Sequence, residues 1–133
     1  MSGGPGRSPE VAKGVERQVL LNVTRDQILA RHVRYANTFQ TRLVGLLGRR
    51  SLGAEEALVI VPCHSVHTFF MRFAIDVAFL DRDGKLLHLE HNLRPYRWSP
   101  VVAGAHCAVE LPAHRLRETD SREGDLLAVT DEL

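Results

Sequence analysis

The sequence predicts an α+β domain that is mainly β, built as a strongly bent antiparallel sheet or small barrel of at least five strands with one or two short helices. Three observations support this fold class. Several short runs are rich in Val, Ile, Leu and Phe and end at Gly, Pro, Asn or Asp. One longer stretch alternates apolar residues with a period of two, as a half-buried strand does. A clear helical spacing of apolar residues occurs in one segment, which predicts few helices.

The first strands are expected from about Gln18 onwards. QVLLNVT is compact and β-prone, and RHVRYANTF favours a second short strand. Apolar residues at the i, i+4, i+7 and i+8 positions then predict a helix over residues 39–47, with Thr38 as its N-cap and Gly48 after its end. The run ALVIV, residues 57–61, ends at Pro62 and indicates a buried strand.

The stretch HSVHTFFMRFAIDV, residues 64–77, alternates in a way that predicts mostly strand. Its odd-numbered residues are almost all apolar, so we expect them to form a buried spine that includes Phe69, Met71, Ile75 and Val77. Its even-numbered residues include Thr68, Arg72 and Asp76. The even-numbered face is therefore a candidate functional surface.

The second half of the chain predicts a hairpin, a loop and two further strands. DRDG, residues 81–84, is a turn between two apolar runs and indicates a hairpin. NLRPYRWSP, residues 92–100, contains two prolines and predicts an irregular loop, in which Tyr96 and Trp98 are available to cover a core edge or a ligand. Residues 105–111 and the run LLAV predict strands, and PAHRLRET between them predicts a short helical turn.

Composition and charge set the broad class of protein. Residues 1–17 have little to bury and are expected to be a disordered tail, followed by a single globular domain over residues 18–133. The net charge is only +1, with 17 basic and 16 acidic residues, so we expect no nucleic-acid partner, although a local basic patch remains possible. We find no export signal and no apolar run long enough to span a membrane, which predicts a cytoplasmic protein. We also expect the protein to be a monomer or weak dimer.

Several residues belong to types that bind metals or act as nucleophiles and bases: Cys63, His64, His67, His106 and Cys107. Their spacing matches no established ligand motif, so we expect no metal and no other cofactor. Neighbours on a strand point apart, so adjacent cysteine and histidine residues are weak candidates for a nucleophile and its base. In a cytoplasmic protein the two thiols are expected to be reduced and buried.

The even-numbered face leaves two interpretations open. In the structural one, Arg72 bridges to an acid or the face is simply solvated. In the functional one, Arg72 binds an anionic or carbonyl group and Asp76 or Glu110 accepts hydrogen bonds from the ligand. The complete set of candidate ligand-binding residues is Arg72, Asp76, Glu110, Thr68, Arg42, Arg94 and His67, and Arg97 is a further neighbour.

Two classes of function fit these residues. The first is a binding or accessory module that holds a small ligand, a peptide or a partner protein. The second is a small hydrolase-like enzyme that uses Asp76 or Glu110 as base together with His67 or His64. The module is favoured because no nucleophile and base can be paired from the sequence.

Four segments, taken in order, resemble one known family: RLVGLLGRRSL, HTFFMRFAIDVAFLDRDGKLL, NLRP and AVELPA. They are similar to the bacterial and archaeal domain-of-unknown-function family 192, also called uncharacterised protein family 0127. The likeness extends over residues 38–129 and implies a shared fold, but the family's activity is unassigned. From it we expect an uncharacterised bacterial protein.

The resemblance can be followed at individual positions. Arg42 fits the family's Arg-x-x-Gly-Leu pattern, and Arg72 and Asp76 fit an aromatic-Met-basic segment followed by an Ile-Pro-Leu-Asp-like element. Glu110 fits a Leu-Glu-Leu strand. This chain departs from the pattern after that strand, where it has His114 in place of the usual glycine, and it lacks the export signal of many relatives.

Overall fold

In the computed structural model, residues 18–36, 52–69 and 71–131 are described. Within these residues the chain forms eight strands and one four-residue helix. They are β1 (Gln18–Asn22), β2 (Gln27–Ala30), β3 (His32–Ala36), β4 (Glu56–Ile60), β5 (Ile75–Leu80), β6 (Leu86–Leu93), β7 (Cys107–Pro112), α1 (Arg115–Glu118) and β8 (Leu127–Asp131). The prediction of a mainly β fold is confirmed, and β2 is a strand that the sequence did not predict.

The strands form two sheets. The smaller sheet has the order β2-β1-β8, and the larger has the order β3-β4-β7-β5-β6. Neighbouring strands are antiparallel except for β3 and β4, which are parallel. The expected single bent sheet or small barrel is therefore corrected to two sheets, and the described strands do not close into a barrel. The reason is that β1 pairs with β2 and β8 instead of extending the larger sheet.

Both faces of the larger sheet are covered, which explains why every residue of β5 is buried. One face packs against the smaller sheet and α1. This first core contains Leu20, Leu29, Ala57, Val59, Ala78, Leu86, Val109, Leu111, Leu116 and Leu127, among others. The opposite face packs against loops, and this second core contains Leu52, Leu58, Ile60, Val66, Met71, Ile75, Val77, Phe79, Leu93 and Ala108. The loops that cover the second core carry the residues of greatest functional interest.

A buried polar network joins the end of β1 to the loop before β8. Asn22 donates from Nδ2 to Ser121 Oγ and to Asp125 Oδ2, at 2.9 Å in both cases. The same carboxylate oxygen accepts from Arg25 Nε and from the Arg122 backbone N–H, both at 3.0 Å. Burial raises the pKa of Asp125, but the hydrogen bonds outweigh burial and hold that pKa below its usual value.

The turn between β5 and β6 confirms the predicted hairpin. The Asp81 side chain accepts from the N–H groups of Asp83 and Lys85, each at 2.9 Å, as a turn-forming aspartate does. Gly84 has φ of 91°, and a Cβ atom at this position would lie 2.4 Å from the Leu127 carbonyl oxygen. Glycine is therefore required here by both conformation and space.

The stretch of residues 64–77 forms a strand only at its end, because β5 begins at Ile75. Before that point the described residues are irregular apart from a single bridge between His67 and Trp98. The expected spine is buried at Met71, Ile75 and Val77. The expectation for Phe69 is wrong: this residue is half-buried, because its ring packs on the loop that follows β6.

Some predictions fall on residues that the structure does not describe. The tail over residues 1–17, the helix over residues 39–47 and the candidate Arg42 all lie outside the described residues. The division into a tail and a single domain over residues 18–133 stays a prediction. Among the described residues, no helix has the length and apolar character needed to cross a membrane.

Candidate functional site

Two irregular segments pack side by side over the second core. Residues 64–69 precede β5, and residues 94–102 follow β6. The Ser99 N–H donates to the Val66 carbonyl at 2.8 Å, and the Val102 N–H donates to the His64 carbonyl at 2.8 Å. Further along, the Thr68 N–H donates to a carbonyl of the second segment at 2.9 Å. These bonds hold the two segments together in place of a regular strand pair.

Thr68 fixes the shape of the second segment. Its buried hydroxyl donates to the Arg94 carbonyl and accepts the Arg97 N–H at 2.9 Å. Its own carbonyl accepts the Tyr96 N–H at 3.0 Å. Tyr96 has φ of 62°, a conformation that non-glycine residues rarely adopt and that the surrounding bonds must maintain. The loop is therefore held in one conformation by Thr68, whose side chain is turned inward and not toward a ligand.

Four rings form a cluster on the outside of these segments, and we call it the aromatic platform: His67, Phe69, Tyr96 and Trp98. Phe69 lies at its centre, 5.1 Å from His67, 6.0 Å from Tyr96 and 5.3 Å from Trp98 between ring centroids. The contact of Phe69 with Trp98 is edge-to-face, a favourable geometry for aromatic pairs. Tyr96 and Trp98 nevertheless expose 57% and 62% of their surface, so the platform presents two large rings to solvent.

Three exposed arginines lie close to the platform residues in the chain. Arg72 follows Phe69 by three residues, Arg94 precedes Tyr96 by two, and Arg97 lies between the two exposed rings. In the described part of the chain, none of these three guanidinium groups forms an ion pair with a carboxylate. Residues 64–69 and 94–102, which carry the platform, contain no aspartate or glutamate. Exposed arginines without a carboxylate partner favour contact with an anion.

Asp76 lies within β5, and its carboxylate is held by backbone hydrogen bonds. The carboxylate is fully buried. Its Oδ1 accepts the N–H groups of Asn92 at 2.9 Å and His114 at 3.0 Å, and its Oδ2 accepts the Leu116 N–H at 2.9 Å. Both oxygens thus accept hydrogen bonds from the backbone, from β6, from the residue before α1 and from α1 itself.

Glu110 does not meet Asp76. In the β5–β7 ladder, Asp76 lies opposite Leu111, while Val77 lies opposite Glu110. Since neighbouring residues of a strand face opposite sides of the sheet, Asp76 faces the first core and Glu110 faces the second. Glu110 is fully buried on the second-core side of β7. The structure therefore brings His67 together with the loop that carries Arg94, but it separates the two acidic candidates.

A second feature is an open cleft of about 390 Å³ beside the turn between β5 and β6. It is lined by Pro62, Cys63, His64, Asp81, Arg82, Asp83, Gly104, Ala105 and His106. The Cys63 thiol donates to the Ser65 carbonyl at 3.1 Å. Within the described ranges, no group of three or more histidine, cysteine or acidic side chains is placed to hold a metal ion.

Both cysteines are free thiols in the described structure. Cys107 is buried at the start of β7. Burial, and to a smaller degree the neighbouring Cys63 and Asp81, raises the pKa of the Cys107 thiol to about 11. A thiol with so high a pKa is a poor nucleophile at neutral pH. The expectation of a buried thiol is therefore confirmed for Cys107 and wrong for Cys63, which is half-buried.

These features define the class of protein. It is a small protein of two packed β-sheets, and the loops that cover one sheet expose aromatic rings and arginines. The chain belongs to the DUF192 family, described as "Uncharacterized ACR, COG1430", whose model matches residues 21–129. This confirms the family resemblance found in the sequence.

Relatives with similar sequences support the same assignment. A UPF0127 protein of Thermococcus sibiricus is 32% identical over 113 residues, which cover 80% of this chain and 71% of that protein. A UPF0127 protein of Pyrococcus furiosus is 32% identical over 113 residues, covering 81% of this chain and 95% of that protein. These curated relatives are archaeal, as are two further ones from Thermococcus species. The expectation of a bacterial protein is therefore corrected.

Solved structures share the fold. A protein of unknown function from Novosphingobium aromaticivorans superposes with a TM-score of 0.72 at 16% identity, covering 92% of this chain and 99% of that one. A protein from Sinorhizobium meliloti, provisionally described as a transcription regulator, superposes with a TM-score of 0.68 at 19% identity over 86% of this chain and 92% of that one. At these identities the likeness extends to the fold alone.

Proposed function

We propose that this protein is a non-catalytic binding module and that the aromatic platform with Arg72, Arg94 and Arg97 is its contact surface. The observation that carries this proposal is the exposure of Tyr96 and Trp98 on a rigidly bonded loop. Exposed apolar surface that is rimmed by polar residues commonly marks an interaction site. Tryptophan, tyrosine and arginine are also the residues that contribute most to binding at such sites.

The arrangement favours a module over the alternative of a small hydrolase. A general base must reach the proton that it removes. Both oxygens of Asp76 already accept backbone hydrogen bonds, and Glu110 is fully buried in β7, where a substrate does not reach it. The His67 ring accepts the Phe69 N–H at 3.2 Å through Nδ1 and belongs to the platform. Neither acid of the proposed pairs is thus accessible to a substrate in the described part of the chain.

In this proposal the sequence candidates have two different roles. Arg72, Arg94 and His67 contribute to the contact surface, and Thr68 positions the loop that carries it. Asp76 and Glu110 support the sheet behind it. We further propose that the module acts in the cytoplasm, as a monomer or weak dimer, on a small ligand or a partner protein.

Trp98 allows a direct test, because it is the only tryptophan in the chain and its fluorescence reports on the platform. The full chain is used to select binders from a displayed library of random peptides and is also titrated with a panel of small anionic ligands. We expect selected binders to shift or quench the Trp98 emission. The variant Tyr96→Ala should lose these binders, whereas Tyr35→Ala, which removes an exposed ring on β3, should keep them.

The proposal is abandoned if binders are obtained that neither change the Trp98 emission nor respond to Tyr96→Ala. It is also abandoned if no binder of either kind is found, and hydrolysis of a general ester or phosphodiester substrate by the purified chain would then favour the enzyme. Thermal denaturation of both variants ensures that a loss of binding does not reflect unfolding.

A further inference from the structure

We infer that the occupant of the aromatic platform is a segment of a partner protein that carries both carboxylates and large apolar side chains. This inference rests on the proposed binding function and specifies its partner. Three properties of the surface support it: its residue composition, its charge and its shape.

The composition matches the centre of a protein interface. Such centres are enriched in tyrosine, tryptophan, phenylalanine and arginine and depleted in lysine, glutamate and aspartate. Residues 61–75 and 91–109 contain no lysine, glutamate or aspartate. Their exposed side chains include Tyr96, Trp98, Arg94 and Arg97, and Val101, three residues after Trp98, exposes 72% of its surface.

The charge specifies an acidic segment. The chain as a whole is nearly neutral at +1, but its acidic residues lie outside the two segments that build the platform. The loop that carries Tyr96 and Trp98 therefore has two exposed arginines, Arg94 and Arg97, and no acidic residue. The field of such charges orients an approaching anion and raises its association rate. Arginine pairs with carboxylates through two parallel hydrogen bonds, so three exposed guanidinium groups suit a segment with several acidic residues.

The shape favours a macromolecule over a small ligand. Small-molecule sites are concave and enclose most of the ligand's surface. Tyr96 and Trp98 instead project with more than half of their surface in solvent. The backbone bonds from Thr68 hold the loop in its conformation before any partner arrives, so ordering the loop costs little on binding.

A single-stranded nucleic acid is the nearest alternative, because aromatic rings and arginines also bind such strands. Those proteins track the phosphate backbone along an extended basic groove. Here the platform loop itself carries two exposed arginines, and the net charge of the chain is only +1. The local character of the charge favours a short acidic segment.

Fluorescein-labelled probes of equal length test the inference on the full chain. They are a peptide of Glu-Glu-Phe repeats, a peptide of Lys-Lys-Phe repeats, a peptide of Ser-Ser-Phe repeats and an oligothymidylate. Binding is measured by anisotropy and by Trp98 fluorescence. We expect the acidic peptide to bind most tightly and to weaken as salt is added.

Variants test whether the acidic peptide binds at the platform. We expect Trp98→Ala to weaken the acidic peptide by about tenfold or more, measured by anisotropy. Arg94→Met and Arg97→Met should each weaken it by about two- to fivefold, as expected for exposed ion pairs. The matched control is Arg117→Met, because Arg117 is equally exposed but lies on α1, and this change should leave binding unaltered.

Several outcomes would overturn the inference, and they are distinguishable. If the Ser-Ser-Phe or Lys-Lys-Phe peptide binds as tightly as the acidic one and still depends on Tyr96 and Trp98, the binding module stands but its partner is not acidic. If oligothymidylate binds more tightly than the acidic peptide, the partner is a nucleic acid. If Trp98→Ala abolishes self-association measured by light scattering, the occupant is a second copy of the chain. If no probe binds, and the library selection also fails, both proposals fall.

Discussion

The buried carboxylate of Asp76 gives the most direct test of how this fold is held together. It accepts three backbone N–H groups, from Asn92, His114 and Leu116, and so joins β6 to the start of α1. In Asp76→Asn the shape is kept and Oδ1 still accepts two of these bonds. The new amide group, however, places a donor opposite the Leu116 N–H, which is buried.

The expected magnitude follows from these bonds. A hydrogen bond to a charged group contributes about 1.5–3 kcal/mol, and a buried donor left without an acceptor costs about 1–3 kcal/mol. We therefore expect Asp76→Asn to lower the free energy of unfolding by about 3 kcal/mol, measured by urea denaturation. Asp76→Ala removes all three bonds and should cost more, on the order of 4–5 kcal/mol, unless water enters the site.

A double-mutant cycle with Arg72 separates this explanation from a structural ion pair. Arg72 is exposed and the Asp76 oxygens are occupied by backbone groups, so Arg72→Met should change stability by less than about 0.5 kcal/mol. The double variant should equal the sum of the single ones to within about 0.5 kcal/mol. A coupling energy above about 1 kcal/mol, or an Asp76→Asn variant as stable as the native chain, would refute this account.

Three further predictions concern packing, thiol reactivity and acid stability. Met71→Ala should lower the free energy of unfolding by about 2–5 kcal/mol, because Met71 is buried in the second core, whereas Phe69→Ala should cost less because Phe69 is half-exposed. A thiol reagent at neutral pH should modify Cys63 and spare Cys107 until the chain is unfolded, as mass spectrometry will measure. The pKa of Asp125 is lowered on folding, so its contribution to stability is complete above the usual value of 3.8 and is lost as the pH falls through the lower folded value. In Asp125→Asn, the free energy of unfolding should therefore fall less as the pH is lowered than it does in the native chain. Urea denaturation at several pH values measures this difference.

Each of these predictions has a clear contrary result. An equal loss of stability for both core variants would mean that Phe69 is buried as the alternating pattern first predicted. Modification of Cys107 at the same rate as Cys63 would contradict its burial. An Asp125→Asn variant with an unchanged acid transition would show that hydrogen bonding does not lower the pKa of that carboxyl group.

The sequence predicted most strands because their signals are local. ALVIV ends at a proline, and the DRDG turn fixes a hairpin through side-chain and glycine effects within five residues. The irregular loop after β6 and its two exposed rings were also predictable, because its prolines exclude a regular strand. The prediction of a strand from residue 64 is wrong for a physical reason. When the rings of an irregular segment lie on one side, the sequence alternates between apolar and other residues just as a pleated strand does.

The features that the sequence did not predict are contacts between distant residues. Asp76 was predicted as a possible ligand group because an acidic residue in an apolar run needs partners, and the sequence does not identify them. Those partners, Asn92, His114 and Leu116, lie 16, 38 and 40 residues away. The separation of Asp76 from Glu110 depends likewise on the register between β5 and β7. Neither follows from local patterns.

The strand order of the larger sheet has a consequence for how the chain folds during synthesis. The central strand β7 pairs with β4 and β5 but follows all four other strands of that sheet in the sequence. Until the ribosome has released β7, the inner edges of β4 and β5 have no partner, although the β1–β2 and β5–β6 hairpins and the β3–β4 pair can already form. The smaller sheet is completed later still, because the second partner of β1 is β8, the last strand. Nascent chains stalled before β7 should therefore expose two apolar strand edges and depend on chaperones.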